Sequence, residues 1–199
     1  MIAIIDYDAG NVKNVQKALE YLGFECSLTD DAGIISAADK IVLPGVGNFG
    51  DCMEKLRARR LDELICELVN KGRPFVGICL GMQLLYESSE ESPGVKGLGL
   101  LKGSVKRFPE TGLKIPHIGF NSIMPTEGCT AFDGLGADPF YYFVHSYYCD
   151  TEDRSAVAAR AVYGIEFDCA VQRDNIFASQ FHPEKSGVTG LKTLENVLR

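Results

Sequence analysis

Short apolar runs alternate with amphipathic helical stretches through the first half of this chain, and that alternation leaves few folds open. Residues 2–6 are an apolar run ended by an acid and the loop Tyr7-Asp8-Ala9-Gly10, the pattern of a buried parallel strand. Asn11 stands where it can cap the next helix, in which Val12, Val15, Ala18, Leu19 and Leu22 recur at helical spacing before Gly23 stops it. Residues 24–28 and 40–43 read as second and third strands, the latter closed by Pro44-Gly45-Val46-Gly47. One long helix is expected over residues 51–69, on the stripe Leu56, Leu61, Leu64, Ile65 and Leu68. Residues 75–78 form a fourth strand that leads into a helix carrying Met82, Leu84 and Leu85. Such β-α alternation implies a parallel sheet with helices on both faces.

The second half changes character. Strand candidates at 104–108, 118–123, 140–149, 156–162, 167–171 and 176–180 follow one another across Gly- and Pro-rich turns, and a last helix covers 189–198. The expectation is one α/β domain over residues 1–199: a doubly wound, mixed, mainly parallel sheet with antiparallel strands added. A chain of 199 residues suits one core, and 46% hydrophobic residues is ordinary globular composition.

Charge and cysteine content narrow the function classes. A net charge of −7 with scattered basic residues argues against a nucleic-acid binder, and the cluster Arg57, Arg59, Arg60 reads as a solvated helix face. Seven cysteines without a C-x-x-C pair suggest free thiols in a reducing compartment. The opening Met1–Asp6 lacks a basic n-region, and no apolar run reaches the roughly 18 residues of a membrane span, so the cytoplasm is the expected location.

Three elements carry chemistry. Gly77-Ile78-Cys79-Leu80-Gly81, at a strand end and helix start, is a nucleophile-elbow pattern with cysteine as nucleophile. Its flanking glycines suit a turn in which backbone closes on backbone, and a helix N-terminus favours thiolate. Phe181-His182-Pro183-Glu184 supplies an imidazole and, two residues on, a carboxylate to orient it. The Gly45-Val46-Gly47 loop, with the Leu80 N–H, can form an oxyanion hole. Taken singly, each element also fits an ordinary structural role; their common position at one end of a doubly wound sheet favours a site.

With these residues in view, the chain resembles the class I (triad) glutamine amidotransferases, through GICLGMQLLYE around Cys79 and QFHPEKS around His182. Within that family, DYDAGNVKNVQKAL, LPGVGNFG, PHIGFN and YYFVHSYY resemble glutaminase subunits of imidazole glycerol phosphate synthases. The resemblance implies a Cys79–His182–Glu184 triad. It implies glutamine binding by Gln83, Glu91 and the backbone of His145, Ser146 and Tyr147. It places Asn11, Asn14, Phe120 and Lys185 towards a (β/α)₈ cyclase subunit in a heterodimer of histidine biosynthesis, where ammonia crosses. No metal, cofactor, nucleic acid or membrane is expected. Phe120 departs from the Trp frequent at this place in the family, which puts a cation–π contact with the partner in doubt. Without the resemblance, Glu91 reads as part of a solvated helix end and His145 as a core histidine. Two rivals remain: a glutaminase serving another synthase, such as that of pyridoxal phosphate or anthranilate, and a redox sensor built on Cys79.

Overall fold

A computed structural model describes residues 1–8, 10–136 and 138–199. Ala9, in the expected loop after the first strand, lies outside the described residues. The first half contains β1 (Ile2–Ile5), α1 (Val12–Tyr21), β2 (Cys26–Thr29), α2 (Ala32–Ala37), β3 (Lys40–Gly45), α3 (Phe49–Ala58), α4 (Leu61–Asn70), β4 (Phe75–Cys79) and α5 (Leu80–Gln83). The second half adds β5 (Ser88–Ser89), β6 (Gly103–Arg107), β7 (His117–Ser122), β8 (Met124–Pro125), β9 (Phe140–His145), β10 (Tyr147–Thr151), β11 (Val157–Tyr163), β12 (Ile165–Arg173), β13 (Ile176–Ser179) and α6 (Gly187–Leu198).

The main sheet runs β2-β1-β3-β4-β13-β12-β10-β6-β5, with β11 and β8 branching from β12, while β7 and β9 form a separate antiparallel ribbon. Strands β2, β1, β3, β4 and β13 are parallel to their neighbours in that order. β1 shows why helices cover both faces. Ala3 and Ile5 enter the core beneath α3 and α4, whereas Ile2 and Ile4 enter the one that receives α1 and α6. The expected doubly wound mixed sheet is therefore present.

Several local expectations are corrected. The long helix is two helices, because the stripe steps five residues from Leu56 to Leu61. Arg60, at φ 55°, re-aims the second helix so that Leu61, Ile65 and Leu68 reach the core. Arg57 and Arg59 are not simply solvated, since Arg57 donates to the Lys96 carbonyl and Arg59 pairs with Asp8 and Asp30. Helix α2, for which no bounds are read from the sequence, is capped by Asp31, whose side chain accepts from the N–H groups of Gly33 and Ile34. The helix after Cys79 is a single turn, so few free N–H groups contribute to any terminal dipole there. Residues 140–149 are two strands in different sheets, separated at Ser146. Finally, β13 lies antiparallel to β12 but parallel to β4, with Ser179 opposite Ile78. That last pairing brings the segment after β13 beside the segment after β4.

Candidate active site

Cys79 closes β4 with φ 55° and ψ −111°, a backbone conformation that L-residues seldom adopt. The turn is possible because its flanking residues are glycines. A Cβ on Gly81 would stand 1.9 Å from the Leu43 carbonyl oxygen, and one on Gly77 2.8 Å from the Gly81 oxygen. The turn leaves Cys79 7% exposed, at the wall of an open pocket of about 330 Å³.

His182 follows β13 and is held by its backbone: its N–H donates to the Tyr142 carbonyl at 2.9 Å. Nδ1 of the ring bonds Glu184 Oε1 at 2.8 Å, and both side chains are almost wholly buried. The rigid 3-10 turn Pro183–Lys185 sets that spacing. Nε2 has no hydrogen-bond partner among the described residues. Burial alone would lower His182, but the neighbouring Cys79 side chain and the Glu184 carboxylate outweigh it and raise the imidazole to about 10. A base held protonated beside a sulfur is suited to donate that proton to a leaving amine.

Two residues complete the arrangement, one read differently from the sequence and one not singled out there. Asn11 sits at the start of α1 in a left-handed conformation and makes no side-chain cap, contrary to expectation. Its Nδ2 instead donates to Glu184 Oε1 at 2.7 Å, and Asn14 Nδ2 donates to Asn11 Oδ1 at 2.7 Å. Asn11 and Asn14 were expected to face a partner; Asn11 also orients the carboxylate. The second is Gln180, whose Nε2 lies 3.7 Å from Cys79 Sγ and whose Oε1 accepts from Gln83 Nε2 at 2.9 Å. Its place in QFHPEKS was visible, but its direction depends on the parallel register of β13 and β4.

The pocket collects most of the expected binding residues: Val46, Gly47, Cys79, Leu80, Gln83, Glu91, His145, Ser146 and Tyr147, with Pro116 and Val144. Gly45 is not in the lining. It is buried as the last residue of β3, in register with Cys79. Glu91 is half-buried, and its Oε2 accepts from the Phe49 N–H at 2.7 Å, so it belongs to the start of α3 rather than to a solvated helix end. His145 is buried, as expected for a core histidine, and its Nδ1 donates to the Tyr147 carbonyl at 2.8 Å.

Beside the triad lies an apolar face. The outer side of the β7–β9 ribbon exposes Ile118 (58%) and Phe120 (60%), and Phe120 meets the Tyr142 ring edge-on with centroids 5.7 Å apart. Lys185 Nζ stands 5.6 Å over the same Tyr142 ring, so a cation–π contact exists within the chain. No group of three or more His, Cys, Asp or Glu among the described residues is arranged to hold a metal ion. No helix among them is long and apolar enough to cross a membrane.

Comparison with known proteins shows the family. The family model for class-I glutamine amidotransferases matches residues 3–199. The imidazole glycerol phosphate synthase subunit HisH of Methanocaldococcus jannaschii is 48% identical over 196 residues, covering 98% of this chain and 97% of the relative. The corresponding subunit of Syntrophotalea carbinolica is 50% identical over 202 residues, covering 98% of each. Among solved structures, a glutamine amidotransferase superposes with a TM-score of 0.78 at 19% identity, covering 100% of both chains. PurLQS from Thermotoga maritima gives 0.77 at 24% identity, covering 99% of this chain and 96% of that one. At those identities the structures speak to the fold alone.

Proposed function

The chain belongs to the class I glutamine amidotransferase family, and from that premise we propose that residues 1–199 act as one domain, the glutaminase subunit of an imidazole glycerol phosphate synthase. The supporting observation is the meeting, at one end of the sheet, of a pocket-facing Cys79 with a His182–Glu184 pair whose imidazole is held protonated.

Glutamine enters the pocket with its amino-acid head towards Glu91, Gln83 and the backbone of residues 145–147, and its amide towards Cys79. The thiolate attacks the amide carbon. The Leu80 N–H and the Gly45–Gly47 loop stabilise the oxyanion, a contribution worth about 10²–10³ per donor. His182 gives its proton to the departing ammonia, then takes one from the water that hydrolyses the glutamyl thioester. Glu184 keeps Nε2 aimed at the reaction throughout. Acid–base help of this kind is worth about 10²–10⁴.

The ammonia passes to a (β/α)₈ cyclase subunit in the cytoplasm, within histidine biosynthesis. The exposed Ile118 and Phe120, beside the half-buried Tyr142 ring that Lys185 overlies, suit a protein partner because apolar surface of this kind is costly to leave in water. The loop that completes the oxyanion hole is the candidate switch. The Tyr7 hydroxyl donates to the Pro44 carbonyl at 3.0 Å and the Cys52 thiol to the Val46 carbonyl at 3.8 Å. These clamps leave the Gly45–Val46 peptide between them to reorient when the partner docks.

The test mixes the chain with the cyclase subunit and its ribotide ligand and follows glutamate release. Stimulation by the partner, abolished in Cys79→Ala, is expected. Full turnover by the lone subunit would sink the switch, and activity surviving Cys79→Ala would sink the nucleophile.

A further inference from the structure

The β7–β9 ribbon buries two histidines on its inner side. His117 and His145 are directly opposed across the strands, and His117 Nδ1 lies 3.0 Å from His145 Nε2. Their tautomers follow from the partners. A carbonyl can only accept, so His145 Nδ1, at 2.8 Å from the Tyr147 oxygen, carries a proton. Its Nε2 is then an acceptor, and His117 Nδ1 must be the donor. Burial keeps both rings neutral, with His117 lowered to about 4 and His145 to about 3.

The chain of bonds continues beyond the ribbon. Ser146 is the point at which β9 leaves the ribbon and β10 joins the main sheet, and the His145–Tyr147 bond spans it. The Tyr147 carbonyl also accepts from Gln83 Nε2 at 3.2 Å, and Gln83 in turn holds Gln180 beside the Cys79 sulfur. The other side of the same two strands is the exposed Ile118–Phe120 face. One two-stranded element, therefore, has the docking face on one side and the start of a hydrogen-bond line to the thiol on the other. A ribbon of two strands has little rigidity of its own, so its attitude depends on what it packs against.

We propose that the His117–His145 pair is a positioning relay: it carries the attitude of the β7–β9 ribbon across Ser146 to the Tyr147 carbonyl, and so couples partner docking to the glutamine pocket. The inference rests on the glutaminase reading and adds to it the route by which the partner is felt. Neither histidine touches the reacting atoms. The pair works through Gln83 and Gln180.

Two substitutions separate hydrogen bonding from packing. His117→Phe keeps a ring against Tyr163, which now stacks at 4.0 Å, but removes the donor to His145. His117→Asn loses the stack and returns an N–H close to the Nδ1 position. The readouts are cyclase binding, ammonia-dependent synthesis by the complex, and cyclase-stimulated kcat/KM for glutamine. The relay predicts that His117→Phe binds cyclase and supports ammonia-dependent synthesis as the wild type does, while stimulation falls about tenfold, the effect of one unmet buried acceptor. His117→Asn should recover most of that loss. Undiminished stimulation in His117→Phe, or equal failure of both variants, overturns the relay. Wild-type chain that releases no glutamate from glutamine even with cyclase bound would instead overturn the glutaminase reading. Imidazole ¹⁵N shifts of the unaltered chain repeat the test without a variant. Both rings must read as neutral Nδ1–H tautomers whose signals move when cyclase binds; signals that stay still, or Nε2–H tautomers, refute the relay.

Discussion

Asn11 offers the sharpest perturbation of the triad, because it acts on Glu184 without touching substrate. Glu184 Oε1 receives two donors, His182 Nδ1 at 2.8 Å and Asn11 Nδ2 at 2.7 Å, while its side chain is fully buried. Asn11→Ala leaves the carboxylate with the imidazole alone. A hydrogen bond to a charged group is worth about 1.5–3 kcal/mol, and losing it turns the carboxylate away from the geometry that aims Nε2. If that energy falls on the transition state, kcat/KM for glutamine drops about 10- to 100-fold. Asn14→Ala should cost less, since Asn14 only fixes which way the Asn11 amide faces. Asn11→Asp should cost at least as much as the alanine, because it sets a second carboxylate against the first. The assay is glutamate release at saturating cyclase, with binding titrated separately so that a weakened interface is not mistaken for a weakened triad. Activity of Asn11→Ala within twofold of wild type, at full occupancy, would refute the reasoning.

Three further outcomes follow from the same geometry. Gly81→Ala places a Cβ 1.9 Å from the Leu43 oxygen, where neither backbone can yield, so the elbow must open; urea denaturation should show a large loss of stability and glutaminase should vanish, whereas near-native behaviour would contradict the close approach. Acid should destabilise the chain through the histidine pair: exposed imidazoles titrate near 6.5, the folded ones near 4 and 3, so the unfolded state alone takes up protons between those values and stability falls as pH drops, by about 1.4 kcal/mol per pH unit for each proton. The wild-type slope from pH 6.5 to 4 should exceed that of His117→Phe by about one proton's worth, and equal slopes would refute the assignment. His182 acts in the opposite window: raised to about 10, it stabilises fully below 6.5 and loses that contribution as pH climbs towards 10.

What could be read in the sequence was local. The alternation of strands and helices, the glycines around Cys79 and the two-residue spacing of His182 and Glu184 each lie within a few residues, so one sequence displays them. What escaped depends on which strand lies beside which. Gln180 points at the sulfur only because β13 runs parallel to β4, a pairing that no periodicity encodes. Asn11 looked like a helix cap because its residue type and position fit one, yet Glu184, 173 residues away, takes its amide. The aromatic-rich stretch 140–149, broken only by His145 and Ser146, concealed a change of sheet at Ser146, since both of its strands are buried on at least one side and alternate alike. The five-residue step from Leu56 to Leu61 was visible, and it marked the break between α3 and α4.

All of this turns on one sulfur being the atom that glutamine meets. An electrophilic glutamine analogue, a chloroketone carrying the same amino-acid head, can be reacted with the complex and the product mapped by peptide mass spectrometry. The account predicts a single adduct, on Cys79, which glutamine protects and which accompanies complete loss of glutaminase, with Cys26, Cys52, Cys66, Cys129, Cys149 and Cys169 unmodified. An adduct on one of those six instead, or inactivation that leaves Cys79 unlabelled, would contradict it.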